Sequence, residues 1–444
     1  MMEPWLDSFI AIDYDYRVAS IMPEDLLVAH ASELVTLKGP KRSRTKSEMS
    51  ELSIIRDGAV VVSEGAIVDV GKTDAIMKEH QAKGVEVVDA SGKVVMPGFV
   101  DPHTHLVFAG SREFELELKL KGKSYMEIMR EGGGILRTVR DTRAASDEDL
   151  YLQAGKRLES MIAHGTTTLE AKSGYGLDLP NELRILEAIR RLGVTYPADI
   201  VPTFLGAHAV PPEFEGRPED YIQFLIDVVI PEVTKRNLAM FCDVFCEKSV
   251  FDADQSRKIL TAAKNKGLGI KIHADEFTHS GGAELAAELG AISADHLAKT
   301  SDDGIMAMAR KDVMGVLLPG TPYCSMSGQY ADGRRLVDLG IPVALASDLN
   351  PNCWNESMQF TISLACHKMR MTPAEAITAA TINAAAAIGM EKRIGSIEAS
   401  KRADIIVMDV PSHAHIPYRF GTNLCSLVIK DGKRIWEKKP VRLV

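Results

Sequence analysis

Apolar positions along this chain fall into two textures. Near both ends they form short β-prone runs broken by tight-turn pairs: residues 25–38, residues 52–71 with Asp57-Gly58 and Glu64-Gly65 between them, then 403–408 and 427–436, the last folded about Asp431-Gly432. Runs of this length with Asp-Gly punctuation predict strands joined by hairpins, hence one small β-sandwich assembled from both ends of the chain. Between them the pattern becomes apolar strands near 94–104, 166–171, 199–207, 240–246, 268–274, 291–296, 313–318 and 342–347, separated by helical stretches. Strand–helix alternation predicts a parallel sheet covered by helices, and eight such units fit a closed barrel better than an open sheet. The expected fold is therefore α/β: a (β/α)8 TIM-like barrel over residues 94–395, with a small β-sandwich from 1–93 and 396–444, residues 1–22 forming an N-terminal extension.

Such barrels carry their chemistry at the carboxyl ends of their strands, and the polar residues fall there. The first strand ends in His103-Thr-His105, whose imidazoles, two apart on a strand, face the same way. His208, His273, His296 and Asp348 close the third, fifth, sixth and eighth strands. Singly, each has an ordinary reading as a hydrogen-bonded strand end or a helix cap; their shared placement points to one centre. His30, His80, His164, His279, His367, His413 and His415 have no such placement and read as surface or packing residues. Three imidazoles and a carboxylate drawn from this group suit zinc or ferrous iron with a coordination position left for water. Such a water is acidified toward neutrality, and Asp348 is placed to take its proton, with His296 holding the carboxylate in line.

Composition narrows the partners. The chain has 444 residues, 45% hydrophobic and 25% charged, with a net charge of −9, so it has ample material for a core and no broad basic field for nucleic acid or anionic lipid. Six scattered cysteines make neither a disulfide framework nor a zinc ribbon, and no run reaches the roughly 20 apolar residues of a membrane helix. No signal peptide is read at the start of the chain, which leads us to expect a cytoplasmic protein. The basic run Lys41, Arg42, Arg44 and Lys46 reads as a solvated loop.

The His-x-His after the first strand, the Asp after the eighth and the two-ended sandwich resemble the amidohydrolase superfamily. Within it, 99–113 (Phe-Val-Asp-Pro-His-Thr-His through Arg112-Glu113), 121–129, Gly132-Gly-Gly-Ile135, Glu170-Ala-Lys-Ser-Gly-Tyr-Gly176, His273-Ala-Asp-Glu276 and Ser347-Asp-Leu-Asn-Pro351 are similar to the imidazolonepropionase family. That resemblance implies one divalent metal, zinc or iron, on His103, His105, His273 and Asp348, and hydrolysis of 4-imidazolone-5-propanoate. It implies catalytic roles for Asp348, Glu276, His208 and His296, substrate contacts from Arg112, Tyr125, Tyr175, His208, Glu276 and Asn350, and a homodimer. Arg112 offers a planar fork for the propionate; the phenols of Tyr125 and Tyr175 add neutral donors, Glu276 reads a ring N–H and His208 polarises the carbonyl. Asn352 and Cys353 extend the contact set at a departure, since the family has glycine and a small hydroxyl residue there, so backbone contacts are expected from them. Gly132 to Gly134 read as a turn in a lid whose amides face the substrate. A bridging lysine is absent from the fourth strand, where Lys248 falls past the end, so a single ion is expected. The rival reading is a purine or cytosine deaminase, which needs a cation-poor pocket in place of Arg112.

Overall fold

Eight short parallel strands carry the site: β1 (Phe99–Asp101), β2 (Thr166–Lys172), β3 (Asp199–Ala207), β4 (Phe241–Cys246), β5 (Gly269–Ala274), β6 (Ser293–His296), β7 (Met314–Leu317) and β8 (Val343–Leu345). In this computed structural model, which describes residues 25–80, 85–123, 127–128 and 131–439, they are hydrogen-bonded in sequence order from β1 to β8. Their residues are buried almost throughout, as strands covered by helices outside and filled by side chains inside must be. Beyond the regular strands the ring closes on itself. The Asp348 amide donates to the His103 carbonyl (3.2 Å), the His105 amide to the Leu349 carbonyl (2.8 Å), and the Ser347 amide to Asp101 Oδ1 (3.0 Å).

The two ends of the chain form two sheets. One has four strands: Leu26–Ala31, Gly58–Ser63, Ala66–Lys72 and Glu86–Asp89. The other has six: Glu33–Val35, Ile54–Ile55, Val94–Pro97, Ile405–Met408, Cys425–Lys430 and Lys433–Glu437. Leu26, Val28, Val60 and Val62 from the first sheet and Val95, Ile405, Val407 and Ile429 from the second share one apolar cluster, which is the sandwich core.

Two expectations need correction. The expected first barrel strand, 94–104, is two strands: Val94–Pro97 pairs antiparallel with Ile405–Met408 in the sandwich, and the barrel begins only at Phe99. Gly98 makes the transfer possible, because a Cβ there would lie 2.3 Å from Thr167 Oγ1. The basic run is also not wholly solvated. Lys41, Arg42 and Lys46 are exposed, but Arg44 is 2% exposed and its Nη2 donates to the Leu37 carbonyl (3.0 Å). The Asn383 side chain pins that segment to the barrel: Oδ1 accepts from the Arg44 amide (2.7 Å), while Nδ2 donates to the carbonyls of Arg44 (2.9 Å) and Val343 (2.8 Å). The extension 1–22 lies outside the described residues, among which all six cysteines are free thiols and no helix is long and apolar enough to cross a membrane.

Replacing Asn383 by Ala orphans buried backbone groups at both ends of that clamp. The urea unfolding midpoint is expected to fall by an amount worth about 1–3 kcal/mol, with metal content of the folded protein unchanged; a midpoint equal to wild type would refute the clamp.

Candidate active site

The closure between β1 and β8 brings His103, His105 and Asp348 to one point. Asp348 Oδ1 lies 3.7 Å from His103 Nε2 and 3.7 Å from His105 Nε2, too far for hydrogen bonds. The other carboxylate oxygen, Oδ2, accepts from the Thr321 hydroxyl. His273, at the end of β5, completes the set from across the barrel, its ring centroid 4.5 Å from that of His103 and 5.6 Å from that of His105. His296 and His208 stand in the same cluster: donor atoms of His103, His273 and His296, and of His105, His208 and His273, lie within 4.8 Å of one another. Asp348 and His296 hold positive φ angles (53° and 78°), a conformation that non-glycine residues adopt only when their surroundings impose it.

The remaining seven histidines pair locally instead: His30 with Asp57, His80 with Asp69, His164 with the Ser160 carbonyl, His279 with Asp275, His367 with the Ser363 carbonyl, His413 with Glu33 and His415 with Ser412.

Behind the cluster, acceptors fix the rings. His103 Nδ1 donates to Asp295 Oδ2 (2.6 Å), His273 Nδ1 lies 2.9 Å from Asp243 Oδ2, and His208 Nδ1 donates to the Gly174 carbonyl (3.0 Å). Burial, reinforced by the Lys172 ammonium, holds the His103 pKa well below the ordinary imidazole value; burial followed by neighbouring histidines does the same for His105 and His296. His208 is pushed down to about 3, chiefly by burial. These rings are therefore neutral, the state in which imidazole ligates a metal. His103 Nε2 and both ring nitrogens of His273 are buried without a hydrogen-bond partner, Asp243 standing beside His273 Nδ1 as an ion-pair contact only. Two ligand atoms about 2.1 Å from one ion at tetrahedral to trigonal angles stand roughly 3.4–3.6 Å apart, near the spacing seen around Asp348 Oδ1. Unpartnered nitrogens, neutral rings and this spacing all fit a divalent cation.

Above the cluster opens a cleft of about 470 Å³. Arg112, Tyr175, His208, Glu276, Asn350 and Asn352 line it, with His105, His273, His296 and Asp348 at its base and Ile135, Phe245 and Phe277 supplying apolar wall. Glu276, 12% exposed, sits 3.7 Å from His296 Nε2, and burial together with the Asp348 and Glu247 carboxylates raises its pKa well above the usual range. Burial raises Asp348 as well.

Not every expected contact arrives as expected. The Arg112 guanidinium reaches the cleft with one edge already clamped: Nε and Nη2 donate to the two oxygens of buried Glu115 (2.7 and 2.8 Å). Glu115 also accepts from the Gly134 amide (2.8 Å), so that amide of the glycine turn supports Arg112 instead of facing the cleft. The fit at His208 differs from expectation in tautomer. Its N–H is spent on Gly174, which leaves Nε2 as a lone pair that accepts and cannot polarise a carbonyl. Asn350 spends its side chain on its own turn, donating to the Asp348 carbonyl (2.8 Å) and accepting from the amides of Asn352 (2.8 Å) and Cys353 (3.0 Å). The Cys353 side chain is not brought into the cleft; it is fully buried with Sγ 3.7 Å from the Ser347 carbonyl. Tyr125 lies outside the described residues.

Asp243, Asp295, Lys172, Lys271, Thr321 and Glu115 also belong to the site and are not among the residues the sequence singles out. The signal for four of these was present: charged residues inside otherwise apolar, buried strands, as in Phe241-Cys-Asp243-Val and Gly269-Ile-Lys271-Ile-His273. Replacing Thr321 by Val frees one oxygen of Asp348. We expect turnover to fall about 10–100-fold with little change in KM, measured by steady-state kinetics; unchanged kcat would show that the hydroxyl does not orient the carboxylate.

The sequence profile of the amidohydrolase family matches residues 94–435. The imidazolonepropionase of Geobacillus kaustophilus is 53% identical over 412 residues, covering 92% of this chain and 97% of that protein. That of Parabacteroides distasonis is 47% identical over 409 residues, covering 92% and 98%. Among solved structures, an Escherichia coli guanine deaminase superposes with a TM-score of 0.70 at 14% identity, over 95% of this chain and 100% of that one. A zinc-bound adenosine deaminase from Xanthomonas campestris gives 0.66 at 17%, over 94% and 93%. At such identities the likeness to the deaminases concerns the fold.

Proposed function

The chain belongs to the amidohydrolase family and, within it, to the imidazolonepropionases, and from that premise we propose how its residues divide the work. The reaction is hydrolysis of the cyclic amide of 4-imidazolone-5-propanoate to N-formimidoyl-L-glutamate, a step of histidine degradation. The observation that carries the residue assignment is the meeting of His103, His105, His273 and Asp348 beneath a cleft lined by Arg112. These four residues would hold one divalent ion, zinc or ferrous iron. When bound, that ion supplies Lewis acidity, making a nearby water a stronger acid and drawing electron density from the ring carbonyl.

The chain's own groups supply the rest. Arg112, held by Glu115, offers positive charge to the propionate at the far end of the cleft, and Tyr175 lines the same cleft. Asp348 keeps one oxygen tied to Thr321 and the other toward the imidazoles, so it stays in line to take a proton from the attacking water. As water adds to the carbonyl carbon, the C–N bond of the ring breaks and the nitrogen needs a proton. Glu276, whose pKa is raised well above the usual carboxylate range because burial and the Asp348 and Glu247 carboxylates favour its protonated form, stands 3.7 Å from His296 and is suited to donate it. His208 accepts a hydrogen bond from the ring N–H through Nε2, which fixes the ring's orientation. Asn350 and Cys353 shape the turn that carries Asp348, and Asn352 lines the cleft where a backbone or amide contact is available. Tyr125 is kept as a second phenol for the propionate.

Residues 99–395 form the catalytic unit in this reading, with the sheets built from the preceding residues and from 396–444 as its supporting sandwich. A homodimer is the assembly the family resemblance implies, and six free thiols suit a cytoplasmic, reducing setting.

Two substitutions test the scheme. Arg112→Ala should raise KM for 4-imidazolone-5-propanoate by about 100-fold, the loss of a charge-assisted pair, in assays following the substrate's ultraviolet band; indifference would reopen the deaminase reading. Asp348→Asn preserves shape but cannot take a proton, so turnover should vanish, and near-normal rates would remove Asp348 from proton transfer.

A further inference from the structure

We propose that Lys172 is a positioning residue of the metal site, a single buried ammonium that ties together the two carboxylates standing behind His103 and His273. This rests on the metal reading above. Lys172 ends β2 and is fully buried, and an ammonium removed from water is tolerated only where acceptors surround it. Its Nζ lies 2.8 Å from Glu170 Oε1, 2.8 Å from Asp243 Oδ2 and 3.8 Å from Asp295 Oδ2. The last two oxygens are the same ones that face His273 Nδ1 and His103 Nδ1. One cation thus sets the positions of two carboxylates on different strands, and each carboxylate sets an imidazole.

The backbone of the same residue braces the third ligand's strand. The Lys172 amide donates to the carbonyl of Thr104, the residue between His103 and His105 (2.9 Å), and the Thr104 hydroxyl donates to the Glu170 carbonyl (2.6 Å). The same Oε1 of Glu170 also accepts from Thr203 Oγ1 (2.5 Å) and lies 3.1 Å from Lys271 Nζ, which donates to the Pro102 carbonyl (2.9 Å). A compact ammonium with three donors satisfies this arrangement; a planar guanidinium does not span it.

The sign of one measurement separates positioning from simple charge. Removing Lys172 leaves more negative charge beneath the cluster, and Coulomb attraction alone would then bind a cation more tightly. Loss of positioning does the opposite. In full-length Lys172→Met protein, shown by circular dichroism to be folded, Zn2+ affinity measured by chelator competition is expected to fall about 10–100-fold. The absorption bands of the Co2+ form should shift, and at saturating metal kcat should fall with KM little changed. If the single variant does not fold, Glu170→Gln/Lys172→Met removes one charge of each sign and should show the same weakening. Zn2+ affinity equal to or tighter than wild type in the folded variant overturns the proposal. Failure of the wild-type protein itself to bind a divalent ion would instead overturn the metal reading.

Discussion

The structure turns on the seam between the first and eighth barrel strands. Amide-to-carbonyl bonds from Asp348 to His103 and from His105 to Leu349 close the ring, so the residues that seal the barrel are the ones whose side chains point at a common spot. A barrel that closes differently moves the carboxylate relative to the imidazoles by a residue's rise, roughly 3.3 Å, which is more than a coordination sphere tolerates. Architecture and chemistry therefore share one set of hydrogen bonds here. The positive φ at Asp348 is where that sharing strains the backbone, at a cost of about 1–3 kcal/mol that the surrounding closed sheet offsets.

Beneath the seam the barrel interior is polar where a barrel is ordinarily aliphatic. Glu170, Lys172, Asp243, Lys271 and Asp295 are all fully buried, and each finds opposite charge close by. Burial works against charge on Asp243, yet the His273 ring and the Lys172 ammonium outweigh it and hold its carboxyl well below the usual range. Burying ionised groups is a poor route to stability, and replacing such a network with packed aliphatic residues often stabilises a protein. What the network supplies is orientation: Nδ1 of His103 and of His273 faces a carboxylate behind the cluster, and Nε2 of each is left without a hydrogen-bond partner. On the substrate side the same device recurs at smaller scale, where Glu115 holds Arg112 in place.

Much of this was legible in the sequence, because period and placement are local properties. The strand runs at 166–171, 199–207 and 240–246 were located almost to the residue, and the rule that chemistry sits at strand carboxyl ends singled out His103, His105, His208, His273, His296 and Asp348, all of which meet in the structure. What sequence periodicity could not give was partnership across the barrel. Asp295, one residue before His296, and Lys172, inside the Glu170-to-Gly176 motif, carry no local mark of their role, because their meaning lies in oxygens and nitrogens brought together from strands far apart in the chain. The tautomer of His208 belongs to the same class, being decided by a carbonyl at Gly174. Val94–Pro97 misled for a different reason: an apolar run continuous across Gly98 carries no mark of which sheet each half joins.

The central claim is that His103, His105, His273 and Asp348 hold one divalent ion. Anomalous diffraction from crystals of the protein purified without chelator, recorded across the zinc and iron edges, tests it most directly. The account predicts a single strong peak roughly 2.0–2.2 Å from those three imidazoles and the Asp348 carboxylate. A well-ordered site with no anomalous scatterer after metal loading, or a peak bound elsewhere in the chain, would contradict it.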